Sequence, residues 1–251
     1  MSIVRPSPYL PALALLLGVA SGMAGPTSPF PETTPLRIEE DVIDAGVSSD
    51  GTVFLLSLSY PRLTTVDALG HRRSFDLSEV TVPGGLCVHG DGGFCVSDLV
   101  EEAVLDYGPD GELLRTWEAG GRPGDVAMVG LSPWYVATDN GSVRMAGRGE
   151  LVLARLDGNV ASISGGPEGA VLVSDSTGYL VLEGGDPRRI ASGVVSMALC
   201  AGRYATLRPK GLLVLAGDTV AVSESLDRIS CSPTGYVLLW ESAGNSALVG
   251  R

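Results

Sequence analysis

A strand, a tight turn and a second strand recur along this chain every few dozen residues. The clearest copy reads Gly85-Leu86-Cys87-Val88-His89-Gly90-Asp91-Gly92-Gly93-Phe94-Cys95-Val96-Ser97-Asp98. A period of that length constrains the fold more than composition does, because one such unit cannot bury its own apolar faces and must stack on copies of itself. The copy continues with Val104-Leu105-Asp106-Tyr107, the turn Gly108-Pro109-Asp110-Gly111 and the run Glu112 to Trp117. Pro-Asp-Gly presets turn dihedrals, so this is a second hairpin and the unit has four strands. Related units lie over Val47 to Leu77, Val126 to Leu156, Ile163 to Ile190, Met197 to Val222 and Ile229 to Val249, each a set of apolar runs broken by Gly, Pro, Asp or Ser. With the first, they make six. The expected fold is all-β: a six-bladed β-propeller with four-stranded antiparallel blades.

The turn between the first two strands of each unit is expected at Gly51, Gly92, Gly169, Gly202 and Gly235, with Ser132-Pro133 in that place in the third unit. Unit length falls from about 40 to about 33 residues, the short end for a four-stranded blade. Helical periodicity is nowhere sustained beyond the first two dozen residues, because Gly or Pro interrupts nearly every window. The sixth unit stops one strand short: after Tyr236 to Trp240 and the loop Glu241 to Asn245, only Ala247-Leu248-Val249 remains. Leu36-Arg37-Ile38-Glu39-Glu40 precedes the first unit, alternates apolar with polar and belongs to no blade of its own. It is expected to complete the last blade and close the ring, which leaves fewer unpaired strand edges.

Over Gly85 to Trp117 the chain resembles the NHL-repeat propellers, whose units read as an apolar strand, an Asp-Gly turn, an aromatic-bearing strand ending in Asp, and a second hairpin with Pro-Asp-Gly. Val171-Leu172-Val173-Ser174-Asp175 and Tyr135-Val136-Ala137-Thr138-Asp139 repeat part of the pattern, while units one and five diverge. The resemblance implies an architecture and no particular activity. Enzymes of that family, lyases among them, rely on histidines, and this chain has two, His71 and His89, in turns of different hairpins.

The N-terminal segment has the layout of a secretory signal: Arg5 in a short leading region, an apolar run from Leu10 to Ala20, and small residues around Gly22-Met23-Ala24. Cleavage is expected near Ala24 or Ala20. The apolar run is too short to span a bilayer as a helix. The expected division is therefore signal peptide 1–24, Pro-rich leader 25–35 and propeller 36–251, with a secreted or periplasmic product. The formal net charge is −12, and a single lysine, Lys210, accompanies scattered arginines. A phosphate backbone calls for clustered cations, so nucleic acid is excluded as a partner. A protein or a small polar ligand is expected instead, with no membrane span and a monomeric chain.

Four cysteines in an exported chain are disulfide candidates. A turn at His89 to Gly92 sets Cys87 opposite Cys95, while Cys200 and Cys231 end the inner strands of neighbouring units. Small buried hydrophobes are the alternative for all four. No Cys-x-x-Cys or paired-His spacing points to zinc, no Gly-x-Ser-x-Gly elbow to a serine hydrolase, and no cofactor is expected. Aligning the units places Ser57, Asp98, Thr138, Asp175, Arg208 and Glu241 at one position per blade, after the second strand. This polar ring suits a polar ligand or calcium. Its alternative is a set of Asx-type turns, each Asp bonding its own loop. The functional expectation is a non-catalytic binding or interaction module. A calcium-dependent hydrolase or lactonase, using Asp98, Asp175 and Glu241, is the alternative.

Overall fold

Every four-stranded unit of the sequence forms one antiparallel sheet in the computed structural model of the chain, which describes residues 33–38, 41–148, 151–156, 158–215, 217–242 and 246–250. The expected signal peptide and most of the expected leader lie outside these residues. The chain enters through β1 (Thr33–Arg37). Blade 1 follows as β2 (Val42–Val47), β3 (Val53–Ser57), β4 (Arg62–Val66) and β5 (Arg72–Asp76). Blade 2 is β6 (Pro83–Val88), β7 (Phe94–Asp98), β8 (Ala103–Tyr107) and β9 (Leu113–Glu118). Blade 3 is β10 (Pro123–Val129), β11 (Ser132–Ala137), β12 (Val143–Met145) and β13 (Val152–Ala154). Blade 4 is β14 (Val160–Gly165), β15 (Gly169–Ser174), β16 (Thr177–Leu182) and β17 (Arg188–Ser192). Blade 5 is β18 (Ser196–Cys200), β19 (Arg203–Arg208), β20 (Leu212–Leu215) and β21 (Asp218–Ala221). Blade 6 holds β22 (Arg228–Cys231), β23 (Val237–Trp240) and β24 (Ser246–Gly250), and its fourth strand is β1, in the order β1-β24-β23-β22.

The ring therefore closes between the two ends of the chain, Thr33 pairing with Gly250 and Arg37 with Ser246. The closing strand starts earlier than the sequence suggests, since Thr33, Thr34 and Pro35 of the expected leader belong to it. As the outermost strand β1 has a free edge, where a proline that cannot donate to a ladder is tolerated.

Strand composition follows position in the blade. The second strands β3, β7, β11, β15 and β23 are covered on both faces and buried almost end to end, so they read as unbroken apolar runs such as Val171-Leu172-Val173. The outer strands β5, β9, β17 and β21 are largely exposed and carry the charge. One apolar cluster fills each gap between neighbouring blades. Between blades 1 and 2 it is aromatic, with Phe94 stacked on Tyr107 at 4.9 Å and tilted against Phe54 at 6.1 Å. Trp134 and Trp240 are buried in the same kind of gap.

Of the expected turn glycines, Gly51, Gly92, Gly202 and Gly235 have positive φ. In blade 3 Gly130 makes the turn, while Ser132 and Pro133 already belong to β11. Gly169 is not a turn residue: it opens β15, where a Cβ would lie 2.4 Å from the Val181 carbonyl oxygen. Close approach, not backbone handedness, explains that glycine.

Candidate functional site

The residues expected to form a ring are each engaged with their own strands or loops. Asp98 ends β7 with no exposed surface, and its carboxylate accepts the N–H groups of Thr81 (2.5 Å), Val82, Val100 and Glu101. It ties together its own two loops, the Asx-type arrangement. Asp175 is exposed, has φ 45°, and accepts from the Asn159 N–H at 3.4 Å. Ser57 pairs with Val42 and Arg208 with Leu212, while Glu241 is half-buried just after β23. Thr138 alone of the six lines a cavity; its hydroxyl donates to the Arg122 carbonyl at 3.3 Å.

On the inner strands, polar and charged side chains share one level. Strand registers place Asp44, Gly85, Asp125, Ser162, Ser196 and Arg228 at one level of β2, β6, β10, β14, β18 and β22. In the first four blades a bulge sits at this level, breaking the ladder between Val42 and Asp44, Pro83 and Gly85, Pro123 and Val126, and Val160 and Ser162. A bulge turns a side chain that would otherwise face its own sheet. Asp44 Oδ2 thereby accepts the Leu86 N–H of the next blade at 2.7 Å and Asp125 Oδ2 the Ile163 N–H at 2.8 Å, while in blade 5, whose ladder is unbroken, Ser196 Oγ accepts the Ile229 N–H at 3.3 Å. Blades 2 and 4 make the same latch two residues further on, through Cys87 Sγ to the Met128 N–H and Ser164 Oγ to the Leu199 N–H, both at 3.2 Å. Gly85 keeps the first level clear, since a Cβ there would lie 2.8 Å from Asp125 Cα.

Two cavities run along the axis, of about 320 and 740 Å³. The smaller is lined by the starts of inner strands, including Ile43, Gly124 and Val160; the larger by their middles and ends, including His89, Met128 and Cys231. Asp44, Asp125 and Arg228 line both and form the waist between them. Burial pushes the Asp44 carboxyl up to about 6 against the pull of the Leu86 and Ala45 N–H groups and Arg228. Burial, then the charge of Asp44, pushes Asp125 up to about 8. Both carboxyls therefore hold a proton more tightly than a free aspartate does. The Arg228 guanidinium reaches across to donate to the Ala161 carbonyl at 2.8 Å. Ser162 Oγ, at the same level and lining the larger cavity, is buried without a hydrogen-bond partner. The sequence signal for this site is an acid or arginine inside an otherwise apolar inner strand, as in Val-Ile-Asp-Ala and Pro-Gly-Asp-Val.

Cys200 and Cys231 are joined by a disulfide between the inner strands of blades 5 and 6, their Cα atoms 5.1 Å apart. Cys87 and Cys95 face each other in the register expected from the turn, but both are free thiols. Cys87 Sγ is held by the Met128 N–H, whereas Cys95 Sγ lies 3.3 Å from His89 Nε2 and 3.6 Å from Asp106 Oδ1. Burial raises both thiols, Cys87 to about 12.

No family model and no curated protein matches the sequence. Solved structures match its shape. Virginiamycin B lyase from Staphylococcus aureus aligns with a TM-score of 0.55 at 10% identity, over 88% of this chain and 99% of that one. U3-55K aligns with a TM-score of 0.59 at 12% identity, over 90% and 100%. BBS1N, in complex with ARL6DN, aligns with a TM-score of 0.55 at 10% identity, over 79% and 74%. The fold defines the class: the chain is a six-bladed β-propeller closed by its N-terminal strand. Its neighbours include a lyase and a domain solved in complex with another protein, so the fold leaves activity to the site. Among the described residues no helix is long and apolar enough to cross a membrane.

Proposed function

We propose that this chain is an exported binding module that holds a small polar ligand on the propeller axis, at the waist formed by Asp44, Asp125 and Arg228. The observation that carries the reading is the convergence there of two buried carboxyls, a guanidinium and the orphaned hydroxyl of Ser162. A buried polar group without a partner is rare in a folded chain, and concave sites use a few such groups to orient what they bind. The acids and the arginine suit a ligand bearing both an amine and a carboxyl or carbonyl group. The signal-like N-terminus supports export, and the mass of the secreted chain, starting at Gly25 or Ser21, checks it.

The ligand reading is tested by thermal denaturation of the protein with a panel of amino acids, short amines and polyols. A compound that raises the melting temperature of the native chain and fails to do so for Arg228→Met or Asp125→Asn supports it. No shift from any member of the panel, or shifts that survive both substitutions, rejects it.

A second reading, a hydrolase, rests on the separation of the two carboxyls. Two buried carboxyls at one waist, both raised by burial and Asp125 further by the charge of Asp44, are groups that acid–base catalysis uses. Turnover of esters or lactones, lost in Asp125→Asn, distinguishes it from binding alone. A protein partner, as BBS1N has, is the remaining form of the module.

A further inference from the structure

Away from the waist, on the face of blade 2 turned toward blade 3, three side chains of different chemistry meet. His89 follows β6 in the first turn, Cys95 lies on β7, and Asp106 stands directly opposite Cys95 on β8. Their donor atoms Nε2, Sγ and Oδ1 all lie within 4.8 Å of one another. The three edges of the triangle are 3.3 Å from His89 to Cys95, 3.6 Å from Cys95 to Asp106 and 3.9 Å from His89 to Asp106. From blade 3, Met128 Sδ stands 3.9 Å from Cys95 Sγ.

The His89–Cys95 and Cys95–Asp106 contacts have the length of hydrogen bonds to and from sulfur, while His89 and Asp106 stand 3.9 Å apart, too far for a direct hydrogen bond. The same three donors approximate the base of a metal site, two edges lying within the spacing a tetrahedral ion sets and the third, His89 to Asp106, just outside it. A tetrahedral zinc ion with ligand bonds of about 2.0–2.3 Å holds neighbouring donors roughly 3.3–3.8 Å apart, and imidazole nitrogen, thiolate sulfur and carboxylate oxygen are its three protein donors. His89 and Met128 line the larger cavity, which gives an ion a way to the cluster from the His89 side.

We propose that His89, Cys95 and Asp106 form a zinc site on the wall of the axial channel, with an open fourth position beside Met128. On binding, the Cys95 thiol releases its proton to solvent as the zinc–sulfur bond forms. The site shares no residue with the waist and stands independently of what binds there.

The test is metal binding by the reduced, full-length chain. Calorimetry is expected to give one zinc ion per chain. Cobalt(II), used as a zinc probe, is expected to give a thiolate-to-metal charge-transfer band in the near ultraviolet together with the visible bands of a tetrahedral ion. The band should vanish in Cys95→Ser and persist in Cys87→Ser. His89→Gln, a change in a turn that leaves the buried thiol in place, should weaken zinc at least about tenfold, and it carries the test if Cys95→Ser fails to fold. Absence of stoichiometric zinc overturns the proposal, as does zinc affinity unchanged in His89→Gln, or a cobalt band that depends on Cys87 in place of Cys95.

Discussion

Between about pH 4 and pH 8 the folded chain keeps a proton on Asp125 that the unfolded chain has already released, because burial and the neighbouring Asp44 raise that carboxyl from 3.8 to about 8. Stability rises with pH only where the unfolded chain binds more protons, and here it binds fewer. The contribution of Asp125 to stability therefore falls as pH rises through this interval. Asparagine keeps one acceptor for the Val126 and Ile163 N–H groups and cannot ionise. Asp125→Asn is thus expected to be less stable than the native chain at pH 5, by about 1–2 kcal/mol for the lost hydrogen bond. The difference should shrink or reverse at pH 8, by at least about 1.4 kcal/mol, the equivalent of one pH unit. Urea denaturation of both proteins at the two pH values measures this. A difference independent of pH would mean that Asp125 is ionised throughout. Charge at the waist also sets the pH response of the proposed site, since an amine ligand gains a second carboxylate partner as pH rises.

At the scale of the element, the inner strands hold one another through side chains as well as through packing. Ser196 Oγ is the partner of the Ile229 N–H, which is buried between blades 5 and 6. Ser196→Ala removes the acceptor without changing shape, and an orphaned buried N–H costs about 1–3 kcal/mol. Guanidinium denaturation should show that loss, and amide exchange should accelerate at Ile229 more than at amides of blade 3. Equal acceleration everywhere would mark a global effect and remove the latch. These latches also explain what the sequence shows and hides. Turns and second strands depend on neighbours in sequence, so Asp91-Gly92, Pro109-Asp110-Gly111 and the run at Val171 are legible at once. The missing fourth strand of blade 6 is equally visible, and it points to the N-terminal segment that closes the ring. Asp44 and Asp125 are not visible as a pair, because they are far apart in the chain and meet only when six strands surround one axis. The bulges that aim them depend on the register of each hairpin. Thr138 is found among the ring residues because its loop happens to reach the cavity, while Asp98, which fits the repeat best, serves its own loops. The disulfide and the free thiols divide for the same reason: Cys200 and Cys231 end adjacent inner strands, whereas Cys95 faces a histidine and an acid that no spacing rule connects to it.

For the whole molecule, blade 6 is the part assembled from both ends of the chain, and it is secured on both sides. The Cys200–Cys231 disulfide ties it to blade 5. Toward blade 1 the apolar cluster that includes Ile38, Val47, Leu55, Leu238 and Trp240 holds it, with the Thr234 hydroxyl donating to the Ser49 carbonyl at 2.7 Å. Strand β1 completes the sheet through five residue pairs with β24, and Ile38, just beyond it, is 1% exposed. Removing residues 1–38 therefore deletes a strand ladder and a fully buried isoleucine together. Cross-strand pairs contribute roughly 0.2–1 kcal/mol each and a buried isoleucine about 1.5–3 kcal/mol, so a loss of about 3 kcal/mol or more is expected. In a chain of this length that lowers the melting temperature by roughly 6–12 °C. The deletion also bares the edge of β24, a row of unpaired backbone groups that recruits other strands, so light scattering should reveal oligomers absent from the intact chain. A synthetic peptide of residues 33–38 in excess should restore both the melting temperature and the single-chain mass, because the ring needs the strand and not its covalent connection. If the deletion melts as the intact chain does and stays monomeric, closure does not depend on β1, and the disulfide with the cluster around Ile38's neighbours must hold the ring by themselves.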